Sequence, residues 1–495
     1  MNYSDPRGME PSSYLTLPMC EKRINAETVG EITLPDYQPE IRRVLAVMPT
    51  VLPPAKYAGG SGVEISGTVD YSVLYLGADG ELYTLPMSSE YHVSFPVEGM
   101  SEFDPGAGVT VWADVTAENT SFRVASPRKM SVRCRLRALL RAFGRVLMEE
   151  KLAGETAASS LFRRTETAKT LSLGGGSSEV VTLSCEFSGL GEDARVISAD
   201  ATPVISEVRT EGEMARASGE VSVKLLIGRE GSTPTVVSRT LPLAGEVELE
   251  LANPDQCRGT GTVSDISIEM SEDGRILCEV SVLLEVRGMK ECEVSYTADL
   301  FSGESESECE IASYRLPVAL GCTHGNFSQS ERIPTAEIGL QEGCAIVDAW
   351  GSVLFDLCEK SGARYLLSGE SRYTLLCERD GELFCSEVSL PIRYETEGGE
   401  QAPESYSAVG TVLSCRARLE GEMLALDAEI GVVADLIGFE EISAVRSVRF
   451  AAPCAVRNSR MTVYYPTDGE DAWAVAKKYH ISPEKIQKGK SYFYF

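Results

Sequence analysis

The chain has few histidines: its 495 residues hold three, His92, His324 and His480. Imidazole-based acid–base chemistry and histidine-rich metal centres therefore have little to draw on. It has no uninterrupted apolar run near the ~18 residues of a membrane span, so membrane insertion is not expected. CxxC pairs and Cys/His clusters at zinc spacing are missing too. Residues 1–18 show no charged stretch followed by an apolar core, so no signal peptide is read there and the expected compartment is the cytoplasm. Positive charge is in deficit. Lys and Arg total 46 against 74 Asp and Glu, a net charge of −28. Nucleic acid and anionic membrane would repel such a chain at long range, which argues against both as partners; the same charge also serves to keep the surface solvated.

What is present is ordinary for a globular protein: 43% hydrophobic and 24% charged residues. The length exceeds a single core and implies three or four domains. Of the 14 cysteines, Cys134, Cys278 and Cys377 stand inside apolar strand patterns, where cysteine acts as a small core hydrophobe. Reduced thiols are expected.

A strand–turn–strand unit recurs three times. It starts at Ser66-Gly67, Ser218-Gly219 and Ser368-Gly369, at a nearly constant interval, and turns at Asp79-Gly80, Gly231 and Asp380-Gly381. β-Branched and aromatic residues suit a half-buried pleated surface, and Asp-Gly tolerates the positive φ of a tight hairpin. The glycine after each serine marks a bulge or a close backbone approach. Further landmarks repeat in the same order, including Phe95-Pro96-Val97, Leu241-Pro242-Leu243 and Leu390-Pro391-Ile392. Late alternating strands follow, such as Met130–Arg137, Cys278–Val286 and Met423–Ile430. A fixed period of this kind marks a duplicated supersecondary unit.

Other stretches carry local expectations. Pro39-Glu40 opens one or two helical turns with Ile41, Val44 and Leu45 on one face. Arg137 to Leu152 either continues a strand or forms a helix. The linkers Ser160-Leu161-Phe162-Arg163-Arg164 and Asp299-Leu300-Phe301-Ser302-Gly303 echo one another. Gly174 to Ser178 reads as a flexible joint, and the acidic run Glu304 to Glu310 as a solvated linker.

The last residues differ from the rest: a short strand, a polar turn, a helix with Ala472, Val475, Ala476 and Tyr479 on one face, then Ser482-Pro483 opening a second helix. Asp468 to Glu470 supply the first helix with a cap and favourable charge. Trp473 reads as part of the small core of this unit, so that Trp473→Ala would unfold it.

Catalytic sets are thin. Cys322 and His324 are too close along one loop for good nucleophile–base geometry, and no third partner is identifiable. Gly489-Lys490-Ser491 lacks the first glycine and the strand of a phosphate loop. No carboxylate pair or calcium spacing stands out. No enzyme activity and no cofactor are expected.

The tail resembles a LysM module, a small βααβ unit, through Gly469-Glu470-Asp471-Ala472-Trp473, Ala476-Lys477-Lys478-Tyr479 and Ile481-Ser482-Pro483-Glu484-Lys485-Ile486. The resemblance implies partner or glycan contacts at Asp468, Gly469, Glu470, Asp471, Trp473, Ile481 and Ser482. The asparagine that usually follows the second helix is missing, and the loop before the last strand is almost deleted. The repeats resemble the SPOCS-type domains of endospore-forming bacteria through Pro39-Glu40-Ile41-Arg42-Arg43-Val44-Leu45 and Gly67-Thr68-Val69-Asp70-Tyr71-Ser72-Val73-Leu74-Tyr75.

Fold and organisation follow as expectations. The chain is mainly β, with three tandem β-rich, sandwich-like domains at 31–155, 179–297 and 329–450. A leader covers 1–30, linkers cover 156–178 and 298–328, and an α+β module covers 461–495. Function follows from the resemblance: a non-enzymatic spore-coat adaptor in the mother cell, docking a coat basement-layer protein at the forespore surface through multivalent contacts. The alternative is a cell-wall protein that binds peptidoglycan or N-acetylglucosamine through its tail.

Overall fold

A computed structural model describes residues 14–59, 62–97, 108–148, 150–153, 160–191, 193–271, 275–454, 462–466, 470–488 and 492–495. The chain is mainly β. Among the described residues, no helix is long and apolar enough to cross a membrane.

The first third contains β1 (Tyr14–Thr33), β2 (Ile41–Val51), β3 (Ala55–Gly59), β4 (Gly62–Gly77), β5 (Leu82–Pro96), β6 (Val109–Ser126) and β7 (Lys129–Leu147). They form two sheets, β1-β7-β6 and β2-β4-β5, with β3 also on β4. Val69, Tyr71 and Val73 of one sheet pack on Met130, Val132, Cys134 and Leu136 of the other. Alternation puts every second residue of each strand into this layer.

The same strand order returns twice. The middle third has β8 (Lys151–Ala153), β9 (Leu161–Leu173), β10 (Ser177–Phe187), β11 (Arg195–Glu211), β12 (Met214–Arg229), β13 (Ser232–Glu248), β14 (Gln256–Met270) and β15 (Ile276–Ser302). Here the sheets are β10-β15-β14 and β11-β12-β13. The last third has β16 (Ser305–Pro334), β17 (Ala345–Ser361), β18 (Arg364–Arg379), β19 (Glu382–Glu397), β20 (Ser405–Glu420) and β21 (Met423–Pro453), paired as β16-β21-β20 and β17-β18-β19. A single bridge, Val353 to Gly410, joins these two.

The Ser-Gly glycines do what their positions require. A Cβ on Gly219 would lie 1.8 Å from the Val204 carbonyl oxygen, and one on Gly369 would lie 2.0 Å from that of Leu354. Both face a bulge in the neighbouring strand, at Ile205/Glu207 and Phe355/Leu357. Gly67 instead lies under the Tyr91 ring. Asp380 and Gly381 both have positive φ, as a tight hairpin needs.

Several local expectations are corrected. Ile41–Val51 is a strand, not a helix. Bulges at Ile41/Arg43 and Val44/Ala46 break its alternation, and Ile41, Val44 and Leu45 are then buried at a spacing that imitates a helical face. Leu45 serves a different apolar cluster from Ile41 and Val44. Arg137 onward continues β7 to Leu147. The linkers are strands: β9 runs along the extended end of β15, and β16 runs the length of β21. Glu306, Glu308 and Glu310 form the exposed face of that strand, and Ser305 and Ser307 turn to the other, more buried face. Gly174–Gly176 are packed. The Gly174 carbonyl accepts the Trp112 indole N–H at 2.8 Å, and a Cβ on Gly176 would meet the Glu285 carboxylate at 2.3 Å.

Among the junctions between the thirds, two are built from residues at corresponding positions. At one, Leu74, Leu226 and Leu376 pack together with Leu45, Ile197 and Leu82. These three leucines stand at the same interval after their Ser-Gly pairs, on the face turned away from their own sandwich. At the other, Arg141, Arg258, Arg287, Glu285 and Asp435 are buried with Asp114. β6, β14 and β20 each carry a bulge, facing Leu136, Val282 and Ile430. Arg141, Arg287 and Asp435 stand at the same interval beyond those residues. Their cross-strand partners Trp112, Arg258 and Ser407 also correspond.

This charged junction links all three thirds. Arg258 Nη1 reaches both Asp114 oxygens at 2.9 and 3.0 Å, and Arg287 Nη1 reaches Asp114 Oδ2 at 3.1 Å. The Ser407 hydroxyl donates to Asp114 at 2.8 Å. Arg141 lies 2.5 Å from Asp435, in charge contact without hydrogen-bond alignment, and over the Trp112 ring. Glu285 pairs with Lys56 at 2.6 Å. Burial pushes the Asp114 carboxyl up, but Arg258, Arg287 and Arg141 outweigh it and hold it well below the usual carboxylate range. Glu285 is likewise lowered: burial raises it, and Arg287 and Lys56 prevail.

Next to this junction, His324 Nε2 accepts the Gly259 amide at 3.2 Å, and burial lowers the imidazole below its ordinary 6.5. All three shifts have the same consequence in acid. A base depressed on folding contributes stability that is full above its unfolded value and is lost as pH falls. Depressed carboxylates follow the same rule around pH 4. The midpoint of thermal unfolding should therefore fall in two stages, from about pH 6.5 and again below about pH 4. The His324→Gln variant should lose only the first stage. Identical profiles for parent and variant between pH 7 and 5 would contradict this.

Candidate functional site: the seat of the C-terminal tail

The tail comprises β22 (Val463–Tyr464), α1 (Ala472–Tyr479), β23 (Gln487–Lys488) and β24 (Phe493–Tyr494), with sheet order β22-β24-β23. Asp471 is the N-cap of α1, accepting the Ala474 amide at 2.8 Å, so the cap falls later than Asp468 to Glu470. His480 closes the helix in the left-handed region. The expected second helix is one 3-10 turn, Pro483–Lys485. Proline at its start sets φ for the first residue, but the Ser482 hydroxyl makes no capping bond.

The small core of the tail is Val475, Ala476 and Phe493. Trp473 is not part of it. It projects from the first turn of α1 onto the rest of the chain, where its ring meets Phe301 edge-on at 5.1 Å. Its indole N–H donates to Asp299 Oδ2 at 2.9 Å, and Lys477, one turn further, donates to Asp299 Oδ1 at 2.6 Å. His480 Nδ1 lies 3.0 Å from the Ser302 carbonyl, and Arg164 pairs with Asp471 at 3.2 Å. Trp473, Lys477 and His480 lie along one face of α1, and that face is the docked one.

The seat is built by the two echoing linker sequences. Phe162 and Phe301 are directly paired across β9 and β15, with rings 5.2 Å apart. A bulge at Thr297/Asp299 accompanies the Asp299 carboxylate. That carboxyl lies below its usual value: burial raises it, but the bonds from Lys477 and Trp473 prevail.

The residues expected at the tail's contact surface are divided by the structure. Asp471 and Trp473 face the seat. Glu470 turns back into the tail, accepting the Tyr464 hydroxyl at 2.7 Å with Lys478 at 3.8 Å. Ile481 donates its amide to the Ala476 carbonyl at 3.1 Å. Ser482 precedes the 3-10 turn. Asp468 and Gly469 lie outside the described residues. The residues that sequence reasoning missed are Asp299, Phe301, Phe162 and His480. The signal was the echo between the linkers, which marks the two halves of one aromatic platform.

Trp473→Ala should then undock the tail and leave its own fold in place, rather than unfold it. Asp299→Ala should do the same by removing the shared acceptor of Trp473 and Lys477. Hydrogen exchange that rises on the Phe162 and Phe301 strands while the α1 amides stay protected would agree. Loss of α1 protection to the level of an unfolded peptide would contradict it.

Cys322 and His324 do not form a reactive pair. The thiol donates to the Cys257 carbonyl at 3.3 Å, and burial pushes it up to about 12. The imidazole is occupied by the Gly259 amide. A buried thiol with so high a pKa is a poor nucleophile. The cysteines of the strand patterns, Cys134, Cys278 and Cys377, are buried and free. No family model, no curated protein and no solved structure matches this chain.

Proposed function

We propose that the protein is a non-enzymatic adaptor of endospore coat assembly, made of three copies of one β unit and a C-terminal docking module. The observation that carries the multivalent part is the recurrence of one strand order and one bulge register in all three thirds. Three related faces held on one chain raise effective concentration for a layered partner without any single strong site. The coat context rests on the resemblance of the Pro39–Leu45 and Gly67–Tyr75 segments. The partner is a coat basement-layer protein, engaged at the forespore surface from the mother-cell cytoplasm.

Asp471 and Trp473, two of the residues expected at a partner or glycan contact, are engaged with the chain's own Arg164, Asp299 and Phe301; the preference for a protein partner over a glycan rests on the resemblance of the repeats. The test is affinity capture from a sporulating-cell lysate by the intact chain and by a chain ending at Ser459. Retention of a coat basement-layer protein by the intact chain is the expected result, reduced on truncation. Capture of no coat protein by either form, with retention of the intact chain on immobilised N-acetylglucosamine oligomers, would replace this reading by cell-wall binding.

A further inference from the structure

We propose that Glu306, Cys454 and His480 bind a zinc ion that fastens the C-terminal tail to the β body. The proposal does not rest on the adaptor reading. The three residues are far apart in sequence and show no motif spacing; only the docked tail assembles them. Glu306 lies at the start of β16, Cys454 just beyond the end of β21, and His480 at the C-cap of α1. One ligand atom from each lies within 4.8 Å of the other two.

The donor set has the chemistry of zinc. A thiolate, an imidazole and a carboxylate together exclude the hard, all-oxygen sites of calcium and magnesium. Tetrahedral zinc, with bonds of about 2.0–2.3 Å, places neighbouring donor atoms about 3.3–3.7 Å apart. His480 Nε2 and Glu306 Oε1 are already 3.6 Å apart. Cys454 Sγ, within 4.8 Å of both, completes the set. A three-donor site leaves the fourth position to water.

The surroundings orient the donors. His480 Nδ1 meets the Ser302 carbonyl at 3.0 Å, which fixes the ring and turns Nε2 toward Glu306. A histidine held through its other nitrogen by a backbone carbonyl is the usual support of a metal-bound imidazole. Cys454 is fixed through its own amide, which donates to the Glu304 carbonyl at 2.7 Å. Two ligands thus belong to the rigid body and one to the tail. The ion and the Trp473–Asp299 contact act on the same docking step, so each strengthens the other.

The test uses the full chain, stripped with a chelator and titrated with zinc against a chromophoric competitor, and separately with cobalt. One equivalent of zinc should bind, and cobalt should give a thiolate-to-metal charge-transfer band. Cys454→Ser should abolish that band. His480→Gln and Glu306→Gln should each weaken zinc binding by about 100-fold or more. Trp473→Ala, which changes no ligand, should weaken it measurably by undocking His480. Circular dichroism of each metal-free variant should match the parent. Zinc binding that survives both Cys454→Ser and His480→Gln would overturn the proposal, since other thiols would then hold the metal. So would a full chain that binds no zinc.

Discussion

Asp435→Asn should destabilise the protein by about 3–5 kcal/mol. The carboxylate is buried against Arg141 at 2.5 Å and Arg258 at 3.2 Å. Removing one member of a buried ion network strands the charges left behind, and that desolvation cost dominates the lost attraction. The comparison that isolates it is the double variant Arg141→Met with Asp435→Leu. Removing both charges together should cost less than the two single substitutions combined, because neither partner is left uncompensated. Denaturant titration of the parent, Arg141→Met, Asp435→Leu and the double variant gives the coupling. Additive costs would mean that Arg141 and Asp435 do not act as a pair.

Gly219→Ala carries the second large effect, with Gly369→Ala as its counterpart. In both, the new Cβ would fall within 2.0 Å of a backbone carbonyl oxygen across the sheet. A backbone atom cannot swing aside as a flexible side chain can, so the bulge itself must move. The cost should be about 4 kcal/mol, near the upper end for a point substitution. Gly381→Ala is the control. Its φ of +80° is unfavourable for a side chain, but a Cβ there would meet nothing within 4 Å. That change should cost about 1–2 kcal/mol. Equal costs at Gly219 and Gly381 would mean that conformational preference alone, and not strand crowding, fixes these glycines.

The strands and their turns were legible because they rest on local chemistry. Alternation at Met130–Leu136 and the positive φ of Asp380-Gly381 are properties of short stretches. The bulges were harder. At Ile41–Ala46 they convert a period of two into spacings that look helical. Gly219 and Gly369 did signal the bulges they face, since a glycine after serine predicts a close backbone approach, whereas Gly67 marks a tyrosine ring. The junctions were not legible. Leu74, Leu226 and Leu376 read as ordinary strand residues, and nothing local says that their outward faces meet. Nothing in the local sequence singles out Arg141 or Asp435, yet both are almost fully buried.

The tail's docking site shows the same division. Asp471 and Trp473 stood out through the resemblance of the tail, as contacts for an outside partner or glycan, whereas Asp299 and Phe301, which Trp473 meets, lie on a distant strand. Composition led the acidic stretch 304–310 to be read as a solvated linker. Paired strands with a polar outer face have the same composition, and only their partner, β21, distinguishes them.

Three sheet pairs and the linkers between them form one body, fixed by the leucine and charged junctions among others, which can present several faces at constant spacing. Native-state hydrogen exchange tests this most directly, read on the central strands 69–76, 221–227 and 371–377. The account predicts one shared opening free energy for the slowest amides of all three, lowered together by Asp435→Asn. Three distinct values, with Asp435→Asn lowering only that of the last strand, would show three independent domains on a string and contradict it.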